Sequence, residues 1–196
     1  LNAEGPSLQG FKRKVRHTLA SDVYLDIDII NAGPSILLEY CEKNDIPYAM
    51  LCRYVQYREK WLSELMGFHG ITRDQAKHTM MVLTYMGNYQ IDNEDGTSYE
   101  PETKIRKVER FLEEMKNIGK AVCKIEGDLK KLIEEHHKVN VKASVLSITI
   151  QKIENECMRT AAAFFESRGF RADVFCYDGF MVQKKKNLSN DELEKL

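Results

Sequence analysis

The stretch from Phe170 to Gln183, Phe-Arg-Ala-Asp-Val-Phe-Cys-Tyr-Asp-Gly-Phe-Met-Val-Gln, constrains this chain more than any other. Two short runs rich in Val, Phe and Tyr flank Asp178-Gly179, a dipeptide that favours the primed turns of a β-hairpin. The pattern predicts two strands with a carboxylate, Asp178, at an accessible tip. A metal-binding aspartate could sit there.

A second strand signal lies far upstream. Tyr24 to Ile30 alternates, with Leu25, Ile27 and Ile29 on one parity and Asp26 and Asp28 on the other, which is the period of a strand. Two carboxylates on one strand face repel unless a cation lies between or beside them. The stretch therefore reads either as a solvent-facing strand side or as a platform for a divalent metal. Asn31-Ala32-Gly33-Pro34 then breaks the strand, and Pro34 suits the first turn of a helix running to about Glu42.

Between these strand signals the chain reads as helical. Tyr48 to Met66 places Leu51, Tyr54, Val55, Trp61, Leu62 and Leu65 at helical spacing, as a core-facing set. Thr72 is a good N-cap for a helix reaching Gly87. In that helix Arg73, Lys77, Met81 and Tyr85 stand four apart, and at roughly 40° of drift per step they form one slowly turning stripe. Two cations at this spacing repel each other. They read either as a solvated face or as a site for a polyphosphate, which cations near a helix N-terminus hold together with backbone N–H groups. Asn88 to Glu102 carries loop signals. Lys104 to Glu135 reads as an amphipathic helix or pair of helices broken near Gly119 or Gly127.

Lys142 to Arg168 predicts a further helix, with Leu146, Ile150, Ile153 and Cys157 on an apolar face and Ser147, Gln151 and Glu154 on a polar one. The polar face is either solvated or placed to hydrogen-bond a ligand. Gly169 suits the position just past its end. Lys184 to Lys186 lead into a final helix start near 187–190.

Charge decides what the whole molecule can attract. The 196 residues carry a net charge of -1, with 43% hydrophobic and 30% charged residues, so the chain is globular but offers no overall field for an anionic partner. A nucleic-acid site must come from a local basic patch. One candidate is Lys12, Arg13, Lys14, Arg16 and His17, within a lead-in segment that reads either as solvated or as a phosphate contact. The five cysteines are odd in number and hold no CxxC pair. They are expected to be reduced and mostly buried, in an intracellular, reducing compartment, with nucleus, cytoplasm and virus association left open. His136-His137 lacks further His or Cys at ligand spacing. No apolar run is long enough to span a bilayer, so no membrane partner is expected. The chain opens at Leu1 without a methionine and stops inside a charged helical pattern, as expected of a stretch of a longer protein.

The order of these pieces resembles the palm and fingers of family A DNA polymerases, over roughly Tyr24 to Gln183. Three motifs carry the resemblance: the strand and helix from Asp28 to Leu37, the helix with Arg73, Lys77, Met81 and Tyr85, and Tyr177-Asp178-Gly179 in the hairpin. The resemblance implies an α+β fold, a right-hand polymerase palm with an antiparallel sheet and mostly helical fingers. Its parts would be a lead-in segment (1–23), a first palm part (24–45), fingers (46–100) and a second palm part with long helices and the catalytic hairpin (101–196). It also implies an enzyme, a DNA-directed DNA polymerase of DNA replication. Such an enzyme transfers a nucleotidyl group from a dNTP to a primer 3′ end on a DNA primer-template by a two-metal mechanism. Asp28 and Asp178 would be catalytic and hold Mg2+. Arg73, Lys77, Met81 and Tyr85 would bind the incoming nucleotide, with Lys77 also a proton donor, and Ser147 and Gln151 would contact the nucleic acid. A non-catalytic nucleic-acid-binding palm and a helical interaction domain are the alternatives.

Overall fold

The structure is a computed structural model that describes residues 8–93, 95–136, 139–176 and 178–184. The expected helix start near 187–190 lies outside the described residues. The fold is α+β, mostly helical with a small antiparallel sheet, and the chain divides into two compact units.

The first unit comprises Leu1–Ile30 and Glu154–Leu196. After a 3-10 turn at Leu8–Gly10 it holds helix α1 (Arg13–Ala20) and strand β1 (Tyr24–Asp28). The later segment contributes strands β4 (Ala172–Cys176) and β5 (Gly179–Gln183). The sheet order is β1-β5-β4, antiparallel throughout, with Tyr24 opposite Gln183 and Asp28 opposite Gly179. The expected hairpin is thus β4 and β5, and β5 is its central strand. That position explains why Phe180, Met181 and Val182 are all buried, where an edge strand would alternate. On one side Phe180 and Val182 pack with Met158, Ala162 and Phe170, and Ile27, Ile29 and Phe165 lean on this cluster. Full burial of a side chain such as Phe180 or Val182 contributes about 1.5–3 kcal/mol.

The second unit comprises Asn31–Ile153. Its helices are α2 (Ala32–Lys43), α3 (Ala49–Gln56), α4 (Arg58–His69), α5 (Arg73–Thr84), α6 (Arg106–Ile125) and α7 (Gly127–His136), and it holds a two-residue ribbon of β2 (Ile91–Asp92) and β3 (Ser98–Tyr99). Helix α8 (Val141–Ser167) begins in this unit, and its residues from Glu154 onward belong to the first. At the core Tyr54, Trp61 and Phe111 meet edge to face in pairs, with centroids 5.4 to 5.8 Å apart, the geometry that aromatic quadrupoles favour. Glu114 of α6 accepts the backbone N–H groups of Met50 and Leu51, each at 2.8 Å, and so satisfies the start of α3.

Several elements depart from the sequence expectation. The helix expected over 48–66 is two helices, broken at Tyr57, whose φ of -122° and ψ of 33° leave the helical region. The long charged segment breaks before Gly127 and runs straight through Gly119. Gly119 is buried and lies under Met86, where a Cβ would strike the thioether, so it serves packing and no turn. The loop over 88–102 contains the β2–β3 ribbon. Cys157, expected on the apolar face of α8, is exposed, and Met158 is buried in its place. All five cysteines are free, with Cys41, Cys123 and Cys176 buried, and burial pushes the Cys41 thiol up to about 12. The lead-in segment contains α1.

Candidate nucleic-acid interface

The expected site residues fall into both units. In the first, the β1–β5 register sets Asp28 opposite Gly179, and the Ile29 N–H donates to the Asp178 carbonyl at 2.9 Å. The two aspartates therefore come from neighbouring positions across one strand pair. A Cβ on Gly179 would lie 2.6 Å from the Ile27 carbonyl oxygen and 3.1 Å from Asp28 Oδ1. Only a residue without a side chain lets β5 approach β1 here. Asp28 is exposed. Asp26, on the same strand, is held by His17 of α1, with Nε2 2.7 Å from Oδ2.

Glu154 of α8 senses this end of the sheet. Burial, and then the Asp178 charge, raise its carboxyl above the ordinary carboxylate range. Among the described residues no group of three or more His, Cys, Asp or Glu side chains is arranged to hold a metal ion. Asp28 and Asp178 still match the chemistry of Mg2+, which takes one or two carboxylates and fills its other positions with water or phosphate oxygens.

In the second unit α5 presents the cationic stripe. Thr72 caps it with a full capping box, its hydroxyl accepting the Gln75 N–H while the Gln75 side chain accepts the Thr72 N–H. Arg73, Lys77 and Met81 are exposed and Tyr85 is half-buried at the helix end. Glu59 of α4 takes Arg73 in a two-pronged pair, Nη2 to Oε1 at 2.7 Å and Nε to Oε2 at 3.2 Å. The Arg73 hydrogen bond holds the Glu59 carboxyl below its ordinary range, and Lys77 adds to the effect. The repulsion within the stripe is thus relieved from inside the unit, without any ligand.

At the foot of the stripe Tyr85 and Ser147 open into one pocket of about 590 Å³, which His136, Asn140, Ser144 and Ile148 also line. Gln151 is exposed and donates its Nε2–H to Ser147 Oγ at 3.1 Å. Two expected contact residues on different helices therefore share a surface, whereas Arg73 and Lys77 lie further up α5. His136, Asn140 and Ser144 are absent from the sequence expectation. The signal that could have shown them is the i, i+4, i+7 spacing of Asn140, Ser144 and Ser147.

The chain is similar to the protein named Putative helicase V13 of Sputnik virophage, 39% identical over 180 residues that make up 91% of this chain and 23% of that protein. The chain thus spans less than a quarter of that relative's length. No family model and no solved structure matches it.

A relative named as a helicase overturns the expectation of a family A DNA polymerase. Template-directed DNA synthesis, the DNA-directed DNA polymerase activity and the place in DNA replication do not stand, and nothing supports the non-catalytic palm kept beside them. The physical reason lies in the motifs. A four-residue spacing is what one face of any helix imposes, alternating carboxylates are what a strand edge imposes, and Asp-Gly is what a tight turn favours. Each motif is specified as much by secondary structure as by chemistry.

Proposed function

We infer that this chain is a nucleic-acid-binding part of a helicase-type protein, engaging a strand through the α5 face and the pocket at its foot. The observation that carries the reading is the convergence of Tyr85 and Ser147 on one pocket at the end of a cationic helix face. A pocket of this size suits a small organic group. Tyr85 supplies a face on which a base stacks, Ser147, Ser144 and Asn140 supply hydrogen-bonding groups, and Lys77 supplies charge for phosphates, with Arg73 able to do so only by leaving Glu59. The helicase name of the relative gives the class of ligand. The 196 residues hold no G-x4-G-K-[ST] phosphate loop, the element that cradles a triphosphate in P-loop motors. Binding, and not ATP-driven strand separation, is therefore assigned to this stretch.

The test is fluorescence anisotropy of a labelled single-stranded oligonucleotide. Tyr85→Ala is expected to cost about 1–3 kcal/mol, the worth of one stacked base, which is roughly 5- to 150-fold in Kd. An unchanged Kd with an intact melting profile would exclude the pocket as a base site.

Asp28 and Asp178 would hold Mg2+ in the same reading, with strand phosphates or water completing its shell. Calorimetric titration of Mg2+ is expected to give a binding isotherm that Asp178→Asn removes. An isotherm that survives this change would rule the pair out.

A further inference from the structure

We propose that the first unit carries a second contact surface, formed by α1 and Lys184, for the sugar-phosphate backbone of a nucleic-acid strand; this deepens the reading above and rests on it. The eleven residues from Phe11 to Ser21 contain four Lys and Arg and no Asp or Glu, in a chain whose net charge is -1. The fold adds a cation to this run from the far end of the sequence. Pairing of Tyr24 with Gln183 brings Lys184 to the C-terminal end of α1, where its N–H donates to the Val23 carbonyl at 2.8 Å and its Nζ donates to the Ser21 carbonyl at 2.7 Å.

The orientation of α1 follows from two contacts. His17 is tied to Asp26 of β1 and Ala20 is buried, so that side of the helix faces the sheet. Lys12 and Lys14 are left exposed, and no carboxylate among the described residues pairs with either. This differs from the second unit, where Glu59 already engages Arg73. Helix α1 is about 12 Å long at 1.5 Å per residue. Lys12 and Lys14 stand at its N-terminal end and Lys184 near its C-terminal end, so the three cations are spread over a length along which a strand presents more than one phosphate. Such contacts read no base. They add affinity by releasing counterions, and they position the strand. Val15 and Leu19 of α1, and Phe11 just before it, are also exposed, which makes an acidic protein partner the rival occupant.

Salt dependence separates the two occupants. Anisotropy with a random-sequence single-stranded oligonucleotide is measured across a salt series for the whole chain and for the Lys12→Gln/Lys14→Gln/Lys184→Gln variant. Each phosphate contact on a single strand contributes roughly 0.7 to the slope of log K against log salt, so the slope is expected to fall by about 2. The corresponding Lys→Arg triple variant is expected to restore it, which separates charge from any folding defect. If the chain binds, Tyr85→Ala weakens binding and the Gln variant keeps the full slope, the assignment of α1 is overturned while the pocket reading stands. That is also the result if α1 serves a protein partner. If the unmodified chain binds no nucleic acid, both readings fall together.

Discussion

Glu154 sits half-buried on α8 with its carboxyl pushed toward the protonated form, first by burial and then by the charge on Asp178. Its folded pKa therefore lies above the unfolded one. Below the ordinary carboxylate value both states are protonated and the contribution to stability is fully present; above it the fold keeps a proton that the unfolded chain has lost, and the contribution is lost as pH rises through the folded value. Melting temperature is expected to decline on going from about pH 4 toward neutral, with that part of the decline absent in Glu154→Gln. A Glu154→Gln profile parallel to the unmodified one would mean that the fold does not raise the Glu154 carboxyl. At this scale the sequence was informative where chemistry is local. The alternation of Tyr24 to Ile30 placed Asp28 on an exposed strand position, and Asp178-Gly179 marked the hairpin, although Gly179 is already the first residue of β5. It could not show that His17 takes Asp26 or that Glu59 takes Arg73, because each partner comes from another element and no spacing in the chain encodes the meeting.

Among the elements, α5 was the easiest to read. Thr72 and Gln75 lie within one turn and specify their own cap. Thr72→Ala removes a side-chain acceptor for the Gln75 N–H, and the expected loss is about 1 kcal/mol by urea unfolding. No change in the midpoint would show that water replaces the hydroxyl. The break between α3 and α4 was illegible for the opposite reason. Tyr57 is neither Gly nor Pro, and its non-helical backbone has no local chemical mark. Helix α1 was read as a lead-in because eight residues make a marginal helix by themselves; it is held by Ala20 and by the His17 pair with β1. Gly119 and Gly127 illustrate a related ambiguity. A glycine in a helical pattern signals a break or a close approach equally well, and the deciding neighbour, Met86, lies more than thirty residues away.

Across the whole molecule the α+β class and the apolar faces of the long helices were legible, since periodicity reports them directly. Function was not legible from the motifs. The ordered motifs suggested a polymerase, and the helicase-named relative corrects that. Short motifs fixed by helix and strand periods recur across unrelated chemistry, and order alone did not make them specific. The two-unit division was also beyond periodicity, because the first unit is assembled from both ends of the chain.

That assembly has a consequence for synthesis. Strand β1 is made before its partner β5, which lies about 150 residues later. At roughly 5–20 residues per second, the emerging β1 waits on the order of ten seconds or more for the strand that completes it. During that interval Leu25, Ile27 and Ile29 form an unpaired, alternating edge of the kind that invites association with other chains. The carboxylates Asp26 and Asp28, interleaved with those residues, put charge on that edge, and charge of this kind opposes strand-to-strand association. The acids of β1 would thus serve the chain on the ribosome before they serve any ligand.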